Sequence, residues 1–272
     1  MNQVAKAYDS NPQREWERLA RDPYHSLEFL VTRHYLQKHL PPSGKILDAG
    51  GGAGRYSLEL CRAGYKVVLL DISSGLIALA REKFESESED VKKRLLEFAL
   101  GDIQDLSHFE TNQFDAVLCL GGPLTHLSDQ VGRFKAMSEL VRVAKPKAVV
   151  FVSVMGYLAV LRTIAVKFSD DLVDSSFQTF IEKGDITGNT ATLWHFFRAD
   201  ELSRLAESCG LETIEIAGCE GLSAGCAEAT NLLGQNEAKW KRWVEVVIQT
   251  SAEPSVADLA EHILYVGRVA KT

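Results

Sequence analysis

Ile46-Leu47-Asp48-Ala49-Gly50-Gly51-Gly52-Ala53-Gly54-Arg55-Tyr56 is the stretch that decides the fold. An apolar run ends in Asp48 and then in four glycines within five residues, and the apolar spacing over 55–62 predicts a helix behind them. Glycine lets a turn adopt φ > 0 and lets a ligand approach the peptide groups closely. The helix aims its free amides and the positive end of its dipole at the same point. Strand, bare loop and helix in that order make a cradle for a nucleotide-type ligand.

The spacing of the glycines narrows the ligand. A dinucleotide fingerprint needs Gly-x-Gly-x-x-Gly; begun at Gly50 it puts Arg55 at the third glycine, and begun at Gly51 it puts Ala53 at the second. Asp-x-Gly-x-Gly-x-Gly fits, on Asp48, Gly50, Gly52 and Gly54, and here the chain resembles the class I S-adenosylmethionine-dependent methyltransferases. Val67-Val68-Leu69-Leu70-Asp71 is a second apolar run ending in an acid, placed so that a carboxylate at the tip of the neighbouring strand accepts hydrogen bonds from two ribose hydroxyls. An NAD enzyme would carry an acid there too, so the glycine motif discriminates, and it favours the methyl donor.

Three further segments carry the resemblance. Gly101-Asp102-Ile103 follows the third expected strand, where the family sets an acid against the adenine amino group and an apolar side chain against the ring. Leu118-Cys119-Leu120-Gly121-Gly122-Pro123 ends the fourth, where the backbone passes the donor's methionine part and the incoming nucleophile. The junction 140–147 resembles the family's Lys-Pro-Gly-Gly turn, keeping Lys145-Pro146 but carrying Lys147-Ala148 in place of the glycines. The resemblance implies S-adenosylmethionine as cofactor, held by Asp48, the loop Gly50, Gly51, Gly52 and Gly54, then Asp71 with Ile72, Asp102 with Ile103, and the Leu120-Gly121 edge.

Composition is that of an ordinary globular protein, with 46% hydrophobic and 25% charged residues in 272. That length suits one α/β domain with decorations. No apolar run approaches the roughly 20 residues of a membrane span, and the N-terminus lacks an apolar signal core, so a cytoplasmic location is expected. A net charge of −7 disfavours a broad phosphate-binding face and hence nucleic acid. Cys61, Cys119, Cys209, Cys219 and Cys226 are odd in number and form no Cys-x-x-Cys, which argues against a disulfide framework and a common zinc site.

Apolar runs alternating with helical patterns predict a mostly parallel sheet with helices on both faces. Strands are expected at 45–48, 66–71, 95–99, 116–120, 147–154, 213–217 and 262–269, and helices at 55–62, 75–84, 130–143 and 200–208. The methyltransferase resemblance implies that the last of the seven strands runs antiparallel. A single domain is expected, with 1–40 as an N-terminal helical lid and 41–154 as the cofactor-binding core. Insertions at 156–197 and 220–258 are expected to cap the carboxyl ends of the strands, where open α/β sheets bind ligands. Within them 157–168 and 237–249 read as helices and 191–197 as a strand.

Methyl transfer from a sulfonium is a displacement whose leaving group is already activated, so positioning matters most and neither a nucleophilic residue nor a metal is required. A general base helps only an acceptor that arrives protonated. His126, just past the Gly121-Gly122 edge, and His195, in Trp194-His195-Phe196-Phe197, are the candidates. Tyr8-Asp9 resembles the leader that folds over the donor in many small-molecule methyltransferases, and Tyr8, Trp16 and Tyr24 are the aromatic residues suited to that lid. A small-molecule acceptor is the leading expectation, and a homodimer is compatible with it. A protein or RNA acceptor, a non-catalytic donor-binding module, an NAD oxidoreductase and metalloid methylation through Cys219 and Cys226 are the alternatives.

Overall fold

The computed structural model describes residues 3–127, 129–187 and 193–270. Seven strands form one sheet: β1 (Lys45–Ala49), β2 (Lys66–Asp71), β3 (Leu95–Leu100), β4 (Phe114–Cys119), β5 (Ala144–Met155), then β8 (Leu211–Gly218) and β9 (His262–Val269). Between β5 and β8, a separate antiparallel hairpin joins β6 (Asp185–Thr187) to β7 (Leu193–His195). The sheet order is β3-β2-β1-β4-β5-β9-β8, parallel except for β9, which runs antiparallel to both neighbours. The expected fold class is therefore the observed one.

Side chains alternate between the two faces of a strand, and the core divides accordingly. Leu47, Val117 and Val152 pack against the helices Gln130–Val143 and Ala199–Ser208. Ile46, Leu118 and Phe151 pack on the other face against Pro23–His39, Arg55–Arg62 and Glu237–Thr250. Strand order reverses at β1 and β4, so the carboxyl ends of these two strands open a crevice between divergent crossovers.

Several boundaries move. β4 begins two residues before the expected 116–120, because Phe114 is fully buried. β5 begins at Ala144, directly where the helix Gln130–Val143 ends. Lys147 lies in the left-handed region at φ 68°, beside a register irregularity in the β4–β5 pairing. Of the strand expected at 191–197, residues 193–195 are β7, while 191 and 192 lie outside the described residues. Among the described residues no helix is long and apolar enough to cross a membrane.

The two long insertions leave from the carboxyl edge. The first holds the helices Tyr157–Lys167 and Ser175–Lys183 and the β6–β7 hairpin around Tyr157, Ile164, Phe180 and Phe196. The second holds Ala227–Leu233, Glu237–Thr250 and Pro254–Leu259; its Trp240, Trp243 and Val244 join the core beside Leu27 and Val31.

Candidate active site

The glycine loop is fixed from below. The Gly50 and Gly51 amides both donate to the Leu70 carbonyl of β2, at 2.7 and 3.1 Å, while Asp48 lies fully buried under the loop. A Cβ on Gly51 would stand 2.7 Å from the Asp48 carboxyl carbon, so only glycine fits. Gly54 takes φ 82° as the N-cap of Arg55–Arg62, with Leu69 Cδ1 2.9 Å from any Cβ added there. Asp48 accepts a 2.6 Å hydrogen bond from Ser57 Oγ, but its Oδ1 is buried without a partner. Burial, with the Asp71 charge adding to it, raises the Asp48 carboxyl to about 6.

Asp71 ends β2 facing the loop. It accepts the Gly52 amide at 2.8 Å on one oxygen and the Ser73 amide at 2.8 Å on the other. A carboxylate has about four acceptor positions, so it can serve the loop and a diol together. Burial raises it to about 6 against the pull of these amides. Asp102, past β3, accepts the Gln104 amide at 2.9 Å.

These groups surround a cavity of about 250 Å³. Gly50, Gly51, Gly52, Asp71 and Ile72 line one end, Asp102 and Ile103 another, and Leu120, Gly121 and His126 a third. Asp48 and Gly54 do not line it; they support the loop from beneath.

The roof is the N-terminal segment. Gln3–Asp9 and Pro12–Arg18 contribute Val4, Tyr8, Glu15, Trp16 and Arg18. Asp9 fixes the first helix by accepting from Ser73 Oγ at 2.6 Å and the Gly75 amide at 2.8 Å. Arg55 fixes the second, its guanidinium 4.3 Å from the Trp16 ring centroid and bonded to the Trp16 carbonyl. Tyr8 Oη lies 2.9 Å from His126 Nε2. Burial lowers His126 to about 4 and pushes the Tyr8 hydroxyl well up, so both are neutral near pH 7.

Two expected residues and one expected segment sit differently. His195 does not line the cavity; it is buried, with Nδ1 2.7 Å from Asp185 Oδ1 and Nε2 2.7 Å from Glu201 Oε1. Both ring nitrogens are occupied by structural partners, so it ties the β6–β7 hairpin to Ala199–Ser208. Tyr24 does not roof the cavity either, because its hydroxyl bonds to Glu261 and its amide to Asn231 Oδ1. The insertion 156–197 reaches the site through Trp194, whose ring packs edge-on against His126 at 4.8 Å, while the roof is built by the N-terminal helices. Conversely, Glu15 and Arg18 line the cavity without having stood out in sequence. They lie between aromatic residues on an exposed-looking helix, and only the distant Glu28 reveals what Arg18 is for.

The sheet of order β3-β2-β1-β4-β5-β9-β8 carries the glycine loop on β1, with acids at the tips of β2 and β3; the loop and the two acids are those expected from sequence. Residues 46–147 match the model of the methyltransferase domain family. Residues 46–147 are a methyltransferase domain by this match, in line with the resemblance to the class I S-adenosylmethionine-dependent methyltransferases. It is 25% identical over 170 residues to YqeM of Bacillus subtilis (strain 168), a protein named as a methyltransferase, covering 62% of this chain and 60% of that one. To the glycine/sarcosine N-methyltransferase of Aphanothece halophytica it is 29% identical over 117 residues, 43% of this chain and 42% of the other. The match thus spans about half the length of these curated relatives. In fold, a crystal structure of a SAM-dependent methyltransferase from Methanosarcina mazei is similar, at 21% identity and a TM-score of 0.62 over 88% of this chain and 98% of that one.

S-adenosylmethionine is the cofactor of this methyltransferase fold, and the residues present fit it. The bare loop leaves room a side chain would fill, Asp71 keeps acceptor capacity for a diol, and the cavity continues to Asp102 and Ile103 at one side and Gly121 at the other.

Proposed function

We propose that this protein transfers a methyl group from S-adenosylmethionine to a small-molecule acceptor inside the roofed cavity. The observation that carries this reading is the roof itself: with Tyr8, Trp16 and Arg18 over the Leu120-Gly121 edge, the space beside the reaction end suits a compact molecule better than an exposed face of protein or RNA. An acidic relative excess, net −7, points the same way. The N-methyltransferase named above acts, by its name, on glycine and sarcosine, which are acceptors of that size.

When bound, S-adenosylmethionine supplies a methyl group on a cationic sulfur that is already a good leaving group. The work of the chain is then placement and exclusion of water. In this reading the Asp71 carboxylate accepts from the ribose, Asp102 and Ile103 hold the adenine end, and the backbone at Leu120-Gly121 borders the path of the acceptor. Neutral His126 positions rather than ionises, since burial holds it to about 4. Tyr8 closes the roof over it.

The test is a screen of amine, phenol and carboxylate acceptors with S-adenosylmethionine, reading S-adenosylhomocysteine release. Turnover with at least one small acceptor is expected. Tight donor binding with release stimulated only by protein or RNA would sink the small-molecule reading.

A further inference from the structure

Glu28 answers to two cations. It is 3% exposed, on the helix Pro23–His39, and Arg18 of the roof grips it twice, Nη2 donating to Oε1 at 3.1 Å and Nη1 to Oε2. From the other side His262, the first residue of β9, brings Nδ1 to 3.5 Å from the same Oε2. Burial would raise the Glu28 carboxyl, but Arg18 and then His262 outweigh it and hold it below the usual carboxylate range. Burial likewise opposes the His262 charge, and Glu28 with Glu220 overcomes it, lifting the imidazolium to about 9. Both cations are therefore charged at pH 7. The other titratable groups close by, Cys219 beside Glu220 and Tyr56 beside Glu28, are driven up by burial and stay neutral.

Glu220 keeps His262 from taking Glu28 for itself. It opens the second insertion, is 3% exposed, and is pinned to β9: Oε2 accepts the His262 backbone amide at 2.9 Å and Oε1 lies 2.7 Å from Nδ1. A ring nitrogen has a single N–H, and here it is spent on Glu220; at 3.5 Å, Glu28 receives the charge of His262 without the hydrogen bond. Three residues on, Ser223 Oγ accepts from Trp243 Nε1 at 2.8 Å and from Thr230 Oγ1 at 2.9 Å, which braces the start of the insertion. Without the Glu220 charge, the Nδ1–H would turn to Glu28 Oε2 and weaken the hold of Arg18 on that oxygen.

We propose that Glu220 and His262 are positioning residues that set how firmly the roof closes, by dividing Glu28 between His262 and Arg18. The inference rests on the methyltransferase reading and goes beyond it by giving the second insertion a part in closing a cavity that it does not line. The two residues act with opposite sign. Glu220→Gln, whose single side-chain oxygen cannot accept from both the His262 amide and Nδ1, turns His262 toward Glu28 and loosens the roof. His262→Gln removes the rival cation, leaves Glu28 to Arg18 and tightens it.

Stopped-flow displacement of S-adenosylhomocysteine from the full chain reads roof closure as a dissociation rate. Glu220→Gln is expected to speed release about three- to tenfold and His262→Gln to slow it about two- to fivefold, fractions of what a charged hydrogen bond is worth. In an Arg18→Gln background either change should alter release less than about twofold, because the shared contact is gone. A cluster that served folding alone would speed release in both variants and in either background. If a Gln variant does not fold, Glu220→Asp, which keeps the charge but draws it back, or His262→Asn takes its place, with a smaller effect of the same sign. Release that shifts in the same direction at both positions, that shifts at neither, or that responds equally with Arg18→Gln overturns the proposal. A wild type that does not bind S-adenosylhomocysteine overturns the cofactor assignment as well, whereas tight binding with equal release in all variants overturns this proposal alone.

Discussion

Tyr8 and His126, 118 positions apart in the chain, meet through a 2.9 Å hydrogen bond that joins the roof to the tip of β4. The rings also pack edge to face, with centroids 5.6 Å apart. Because His126 is held to about 4 by burial, this is a contact between neutral groups at pH 7. Tyr8→Phe keeps the ring packing and removes the hydrogen bond, worth about 0.5–1.5 kcal/mol. Donor affinity should weaken about three- to tenfold by calorimetry, with faster exchange of the amides of residues 3–9. His126→Ala should change kcat at saturating acceptor less than about tenfold; a loss of several orders of magnitude would make His126 a base after all.

The proposed contact of Asp71 with the donor's ribose predicts a pH limit on donor binding. Burial raises its carboxyl to about 6, and only the ionised form offers both oxygens to the loop amides and a ribose diol. Donor affinity should therefore climb from pH 5 to pH 7 and level off above, while Asp71→Asn binds more weakly and without that slope. Stability runs in the opposite sense. A carboxyl whose folded value exceeds its unfolded one destabilises the ionised protein, so the apoprotein should gain stability as pH falls through 6 toward 4. Asp48, also raised to about 6 and coupled to Asp71, shares in this titration. A flat profile of donor affinity from pH 5 to 7 would contradict the assignment.

His195 is expected to be a stability residue. His195→Ala removes two 2.7 Å contacts and leaves Asp185 and Glu201 facing each other across the space it filled. The cost should be about 2 kcal/mol in urea unfolding, while kcat of the remaining folded enzyme stays within about threefold of wild type. Loss of turnover without loss of stability would return His195 to the chemistry.

Lys147 occupies a left-handed conformation at φ 68°, which costs a residue with a Cβ about 1–2 kcal/mol. Glycine accepts it freely but has more freedom to lose on folding. Lys147→Gly is expected to stabilise the fold by about 0.5–1 kcal/mol in chemical denaturation, with donor binding unchanged. A destabilised variant would mean that the Lys147 side chain itself contributes.

The parts of this molecule that were legible in sequence are those encoded by neighbours in the chain. Strand, loop and helix at 46–62 could be read because the glycines serve the backbone at their own positions, and Asp71 and Asp102 because each follows its own strand. Lys147 shows the same logic in reverse: the missing glycine of the turn was visible, and the strained backbone is what it left behind. Residues whose meaning depends on distant partners were illegible. His195 in an aromatic stretch reads alike whether it faces a ligand or two carboxylates, and Asp185 and Glu201 announce nothing about their meeting. Arg18 did not stand out because its partner Glu28 sits on a different helix. A lid was expected over 1–40, but its restriction to the first two helices and its dominance over the 156–197 insertion depended on where Asp9 and Arg55 anchor it.

The anchors of the roof have a kinetic consequence. Asp9 to Ser73 and Gly75, Tyr8 to His126, Arg55 to the Trp16 carbonyl and Arg18 to Glu28 are side-chain contacts, and none is a rung of the sheet. These contacts can break while all seven strands stay paired, so the doorway of the cavity and its walls have separate free energies. An opening that breaks only these contacts costs less than unfolding the sheet, and a ligand that touches both roof and floor opposes it in proportion to how tightly it binds.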